Sequence, residues 1–145
     1  MLIGEYTHTL DPKKRLSLPA KIRKELGKKV VITRGLDGCL FVFPLKTWSE
    51  VSSKLAELAL GGQADKRGFS RFMLSGAAET DIDNLGRILV PDYLKDFAAL
   101  QDQVVLTGVY NRIEIWNTQR WSEYKQRIEK QADELAEKLG QIGAI

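Results

Sequence analysis

Apolar and polar positions along the chain fall into one series of patterns that occurs twice. A run with strand character, residues 4–10 in the first series and 77–82 in the second, enters a polar turn at an aspartate. It leaves through an arginine followed by aliphatic residues, which reads as a β-hairpin. Pro19 then opens a short helix that Gly27 can close, and Pro91 opens its counterpart through Asp92, Leu94, Lys95 and Phe97. Two strands rich in β-branched and aromatic residues follow in each series, at 30–33 and 40–43 and at 104–107 and 113–116. The first pair is joined by Arg34-Gly35-Leu36-Asp37-Gly38 and the second by Gly108-Val109-Tyr110-Asn111. A longer helix ends each series. Thr47 with Glu50 forms a capping-box pattern, and Trp48, Val51, Leu55 and Leu58 recur at helical spacing until Gly61-Gly62 stops them. Trp121, Tyr124, Ile128, Ala132, Leu135 and Leu139 make the corresponding stripe on a longer, charge-laced helix, so both stripes are expected in the core or at a subunit interface. Between the series, residues 65–74 predict a connecting helix with Phe69, Phe72 and Met73 on one side.

The repetition is more than a likeness of pattern. Asp11-Pro12-Lys13-Lys14-Arg15-Leu16-Ser17-Leu18-Pro19 returns as Asp83-Asn84-Leu85-Gly86-Arg87-Ile88-Leu89-Val90-Pro91, and Trp48-Ser49-Glu50 returns as Trp121-Ser122-Glu123, at an offset of 72 to 74 residues. The predicted organisation is a first repeat with its helix over 1–60 (core about 5–47), a connecting helix over 61–76, and a second repeat with a C-terminal helix over 77–145 (core about 77–120). Copies of this size bury too little surface alone, so the two are expected to pack about a pseudo-twofold axis into one α+β, β-rich domain.

Charge sharpens the picture. The net charge is only +3, but residues 1–72 hold 14 basic against 7 acidic side chains and residues 73–145 hold 8 against 12. Within 13–29, eight cations face only Glu25. Such a field attracts a polyanion, although a run of lysines also serves as a solvated helix face. One cysteine and one histidine leave no internal disulfide and no zinc site to build, which fits a reducing cytoplasm. The N-terminal residues lack a charged and apolar leader pattern and the longest apolar run is short, so neither export nor a membrane span is expected.

Catalytic chemistry finds little support. Gly27-Lys28-Lys29 lacks the glycine spacing and hydroxyl of a phosphate loop, His8 sits between two threonines on a strand, and Cys39 reads as a small buried hydrophobe. Glu79, Asp81 and Asp83 alternate along one strand face, a pattern open to acid–base or cation chemistry but more simply a solvated edge. No enzyme activity, cofactor, metal or small-molecule substrate is expected. The paired turns carry more. An aspartate opening a tight turn can bond the amides ahead of it, and an arginine four residues on can pair with it or project outward. For Arg87, in an otherwise uncharged loop, a structural ion pair is expected. For Arg15, crowded by Lys13 and Lys14, an anion partner is expected. Trp48, Trp116 and Trp121 lie on apolar stripes, which argues against a stacking platform for single strands.

Two D-x-x-x-R-apolar-x-x-P segments, each followed by a short helix, a strand pair and a helix containing tryptophan, make the chain resemble the bacterial MraZ family of transcriptional regulators along nearly its whole length. Residues 71–77, Arg-Phe-Met-Leu-Ser-Gly-Ala, and Ile113-Glu114-Ile115-Trp116 leading to Trp121 share in the likeness. The resemblance implies tandem swapped-hairpin barrels similar to the AbrB and SpoVT DNA-binding domains. It also implies an octamer-like closed ring of subunits, located with the nucleoid. The implied partner is double-stranded DNA, at direct repeats upstream of the division and cell-wall gene cluster that includes its own gene, usually with repression. Carried onto this chain, Asp11 to Arg15 would be the DNA-contacting motif, with Arg15 the principal residue. From the chemistry of these side chains, Arg15 is expected to enter a groove and read a base edge, that of guanine. Lys13, Lys14, Lys21, Arg23 and Lys24 would lie on phosphates, and Arg87 takes the equivalent place in the second copy. The family has glycine before the motif arginine. Gly86 keeps it, but Lys14 replaces it and is strained if the turn requires positive φ. The rival expectation is a ring-forming scaffold whose basic patch binds an acidic partner or an anionic surface.

Overall fold

The computed structural model describes residues 1–143. In chain order its elements are β1 (Leu2–Thr9), β2 (Arg15–Ser17), α1 (Ala20–Leu26), β3 (Lys29–Arg34), β4 (Leu40–Pro44), α2 (Leu45–Ala59) and α3 (Ala64–Ser75). The second series follows with β5 (Ala78–Asp81), β6 (Arg87–Leu89), α4 (Asp92–Phe97), β7 (Gln103–Tyr110), β8 (Ile113–Asn117) and α5 (Thr118–Gln141). Six strands form one antiparallel sheet in the order β1-β7-β8-β4-β3-β5, and β2 pairs with β6 in a separate two-stranded ribbon.

The expected hairpins are exchanged. A single bridge, Leu10 to Leu16, joins the strands on either side of the first turn. Instead β1 runs antiparallel to β7 of the other copy, β5 to β3, and β2 to β6 with Leu16 facing Ile88. The physical reason is burial. Leu16 and Ile88 are 0% and 1% exposed, and each copy alone offers a three-residue strand with nothing on its other edge. Crossing the strands pairs both edges and closes one core between ribbon and sheet. The architecture is thus the tandem swapped-hairpin α+β fold, with an open sheet whose β1 and β5 edges do not meet to close a barrel.

The sheet has two buried faces. Val30, Ile32, Leu40, Val42, Val104, Leu106, Ile113 and Ile115 point toward the ribbon and the short helices α1 and α4, where Leu18, Ile22, Leu26, Val90 and Leu94 meet them. Phe41, Phe43, Val105 and Trp116 point the other way, under α2, α3 and the first turns of α5. Period-two alternation is what lets one strand serve both layers. The pseudo-twofold passes between Phe41 and Glu114, which are partners in the β4–β8 pairing, and between Leu16 and Ile88.

Local chemistry departs from expectation at two points. The helix α2 starts at Leu45 after Pro44, and no side chain caps it, so the Thr47–Glu50 capping box does not form. Proline fixes the entry φ and needs no amide partner there, which lets the helix begin earlier. The second strand pair turns through Tyr110 (φ 69°) and Asn111, because β7 runs on to Tyr110 where it pairs with Leu2.

The copies also differ in cover. In the first, α3 lies on β3 and α2: Thr33 Oγ1 donates to the Met73 carbonyl at 2.6 Å and Ser70 Oγ to the Leu55 carbonyl at 2.6 Å. In the second, the counterpart of Thr33 is Thr107, and it lines an open groove of about 560 Å³ with Val109, Trp116, Trp121 and Tyr124. Among the described residues α5 borders this groove through Trp121 and Tyr124, and no counterpart of α3 covers it.

Candidate nucleic-acid interface

Both aspartate turns fold alike. The Asp11 carboxylate accepts from the Arg15 amide at 2.8 Å and from Arg15 Nε at 2.9 Å. The Asp83 carboxylate does the same with the Arg87 amide at 2.8 Å and Arg87 Nε at 2.8 Å. The arginine amide bond, joined by the side-chain bond, holds each aspartate carboxyl below the usual carboxylate range. The two arginines are therefore held alike: each guanidinium is clamped through Nε, and its terminal nitrogens enter no hydrogen bond among the described residues.

Register puts the two arginines on one surface. In the ribbon Arg15 faces Leu89, Leu16 faces Ile88 and Ser17 faces Arg87. Leu16 and Ile88 point inward, so strand alternation places Arg15, Ser17, Arg87 and Leu89 together on the outer face. Arg15 and Arg87 are diagonal neighbours, about 7–8 Å apart at the backbone. The outer face thus carries two guanidinia, each held by the aspartate of its own turn.

Strain and charge at the tips follow from what flanks them. Lys14 has φ 63° and Gly86 φ 78°, so the turn does require the left-handed region. At position 86 the positive φ favours glycine, and a Cβ there would also fall 2.0 Å from Arg23 Nη1, so that the arginine side chain would have to move. Lys14 keeps its side chain and pairs with Asp92 of α4. Arg23 donates to the Leu85 carbonyl at 3.3 Å, beneath the second tip. Both of these cations are thus anchored within the chain, Lys14 by an ion pair at the surface and Arg23 through one terminal nitrogen. Lys13, Lys21 and Lys24 are exposed and enter no ion pair among the described residues. The strand exchange has a consequence for charge: basic α1 of the first copy lies beside the uncharged tip of the second, whereas the basic tip lies beside Asp92 of the second. Cations thus reach both ends of the ribbon.

Asp11 gives a pH prediction. Its folded pKa lies below the unfolded one, so the stabilising pair is fully present above the ordinary carboxylate value and is lost only as pH falls through the depressed folded value. Between about pH 8 and about pH 5 the clamp is expected to hold Arg15 unchanged. A carboxyl NMR titration should place the Asp11 midpoint below 3.8; a midpoint above it would mean that the pair does not form in solution.

The remaining candidates do other work. Cys39 is buried, donates to the Leu36 carbonyl at 3.2 Å, and has its thiol pKa pushed far up by burial. His8 is half-buried on β1 opposite Val104. Glu79 and Asp81 lie 3.5 and 3.8 Å from Lys29 Nζ on the edge strand, while Asp83 belongs to the turn, so the three carboxylates share no site. Trp116 is buried, and Trp48 and Trp121 are half-buried against the same core. No group of three or more metal-ligating side chains occurs among the described residues, and no described helix is long and apolar enough to cross a membrane. Sequence reasoning missed Leu89 as a member of the outer face. Ile88-Leu89-Val90 reads as one apolar run, and only the alternation about Ile88 could have signalled it.

Comparison with known proteins gives a consistent result. A family model described as "MraZ protein, putative antitoxin-like" matches the chain twice, at residues 1–72 and 73–141. The chain is 50% identical over 139 residues to a protein of Moorella thermoacetica named Transcriptional regulator MraZ, covering 96% of each. It is 48% identical over 139 residues to the protein of that name from Heliobacterium modesticaldum, again over 96% of each. With the one from Clostridium beijerinckii it shares 47% over 143 residues, 99% of each.

Proposed function

The chain belongs to the MraZ family, and from that premise we propose that it is a sequence-specific DNA-binding transcriptional regulator that inserts its β2–β6 ribbon into the major groove. The observation that carries this reading is the shared outer face: two clamped arginines on an antiparallel ribbon, with free lysines at its ends. The major groove admits a two-stranded ribbon, and an arginine fork matches the O6 and N7 acceptors of guanine. Arg15 and Arg87 read base edges, with Asp11 and Asp83 positioning them. Lys13, Lys21 and Lys24 bind phosphates and set register. Lys14 and Arg23 join them on phosphates while bracing the tips.

One ribbon makes few contacts, so tight binding requires several subunits, each on its own repeat. Head-to-tail subunits repeat without inversion and therefore suit direct repeats about 10.5 base pairs apart. The open groove beside α5 supports this assembly. Among its lining residues Glu5, Asp37 and Glu114 stand against Arg112, a net negative lining that would attract the exposed face of a second copy's α3, which carries Lys66, Arg67 and Arg71 against Asp65, with Phe69 beside them. A closed, octamer-like ring would then act in the cytoplasm, at the nucleoid, as a repressor of the division and cell-wall gene cluster that carries its own gene.

The test is a fluorescence-anisotropy titration of the DNA upstream of its own gene against a scrambled duplex, at several salt concentrations, with mass measured by light scattering. The native duplex should bind more tightly, with a slope of log affinity on log salt near -5 for about six phosphate contacts. The groove variant Val109→Asp should lower the mass and the affinity together. Equal binding of both duplexes would overturn the reading in favour of a scaffold that uses the same basic surface for an acidic partner.

A further inference from the structure

Leu89 is an apolar side chain left in solvent on the surface that the rest of the ribbon makes cationic. It is 53% exposed, between Ile88 at 1% and Val90 at 0%, so core packing gives no reason for its size. The pleat turns it outward beside Arg87 and directly opposite Arg15, with Cβ atoms about 5 Å apart. Its pseudo-twofold equivalent is Ser17, which faces Arg87 in the same way. The two ends of the ribbon are therefore chemically different: an arginine with a leucine at one, an arginine with a serine at the other.

Resting on the DNA reading above, we propose that Leu89 determines specificity by packing on the C5-methyl of a thymine beside the base edge that Arg15 meets. In the major groove the thymine methyl is the apolar group that base edges offer, and an aliphatic side chain is its natural partner. Arg15 and Ser17 satisfy donors and acceptors and gain nothing from a methyl. Leu89 buries it out of water at no cost in unpaired polar groups, because its own amide lies within 3.4 Å of Thr80 Oγ1. The asymmetry also gives each ribbon a direction on the duplex. A pseudo-symmetric ribbon with identical ends would read a site equally well in both orientations. A leucine at one end and a serine at the other make one orientation better, which is what a set of direct repeats needs.

Leu85 is the nearest alternative. It is 68% exposed but sits in the tip loop, at the position equivalent to Lys13 and beyond the paired strands. It therefore lies off the flat outer face and serves as a control.

The probe is the tightest duplex selected from a randomised pool by the full-length protein. Each of its thymines is replaced in turn by uracil, which removes the methyl and leaves the hydrogen-bonding edge unchanged. Wild type should lose about fourfold per repeat at one thymine position, the value of one buried methyl group. Leu89→Ala should bind the thymine and uracil duplexes equally at that position, and Leu85→Ala should keep the wild-type preference. Both substitutions are on exposed side chains, and a thermal melt confirms that each variant folds. Indifference of the wild type to uracil everywhere would overturn the proposal. So would a thymine preference that survives in Leu89→Ala, or one that disappears in Leu85→Ala alone. A pool that enriches no sequence would instead overturn the DNA reading, and this inference with it.

Discussion

Arg15→Ala should abolish most of the preference for the native duplex while leaving the fold intact. A bidentate arginine–guanine contact is worth about 1–3 kcal/mol of discrimination, or roughly tenfold to hundredfold for one ribbon. Several ribbons on one DNA multiply that loss. The variant removes the fork and leaves Asp11 exposed to water, with its amide bonds to the turn still available, so the thermal midpoint should move little. Lys13→Ala makes the contrasting case. It should weaken native and scrambled duplexes alike and reduce the magnitude of the salt slope by about one, since a phosphate contact carries no sequence information. Arg87→Ala should resemble Arg15→Ala and not Lys13→Ala, because the two clamps have the same geometry. If Arg15→Ala keeps the native preference and loses affinity uniformly, Arg15 is a phosphate ligand and another side chain reads the sequence.

The second large effect is on stability. Leu16→Ala should cost about 3 kcal/mol, within the range of roughly 2–5 kcal/mol for truncating a fully buried leucine. Leu16 is 0% exposed and meets Ile88 where the two copies cross. Its cavity cannot be filled by one copy relaxing alone, since the facing strand belongs to the other. Urea unfolding should therefore remain a single transition with its midpoint lowered by about 1.5 M, for a slope of about 2 kcal/mol per molar. Leu60→Ala, at a leucine 91% exposed, should leave the midpoint in place. Two separate transitions, or a loss below about 1 kcal/mol, would show that the copies fold independently and that the ribbon is peripheral.

Much of this arrangement was legible in the residues. The order strand, turn, strand, helix, two strands, helix follows from period-two and helical spacing, from proline and glycine at the helix ends, and from a repeat that imposes the same pattern twice. The aspartate–arginine turns were legible for the same local reason: a carboxylate bonding amides within its own turn needs no other part of the chain. Lys14 in place of glycine pointed to strain at one tip, and the left-handed backbone there matches. Local signals misled where a second local solution existed, as at Thr47, where Pro44 starts the helix first.

The elements, the internal repeat and the chemistry of the two tips follow from neighbouring residues alone, because hydrophobic period, turn residues and side-chain-to-backbone bonds act over a few residues. Which strands pair is settled by the packing of the whole chain. Leu16 can satisfy its edge against its own hairpin or against Ile88, and the choice depends on what total burial the two copies reach together. That choice in turn set the candidate surface. It brought Arg15, Ser17, Arg87 and Leu89 onto one face, and it placed α1 of the cationic half beside the uncharged second tip. It also tied Lys14 to Asp92 and Arg23 to the second tip. Contacts across 62 or more residues have no local signature, since their cost and their reward are both set by how the whole chain closes.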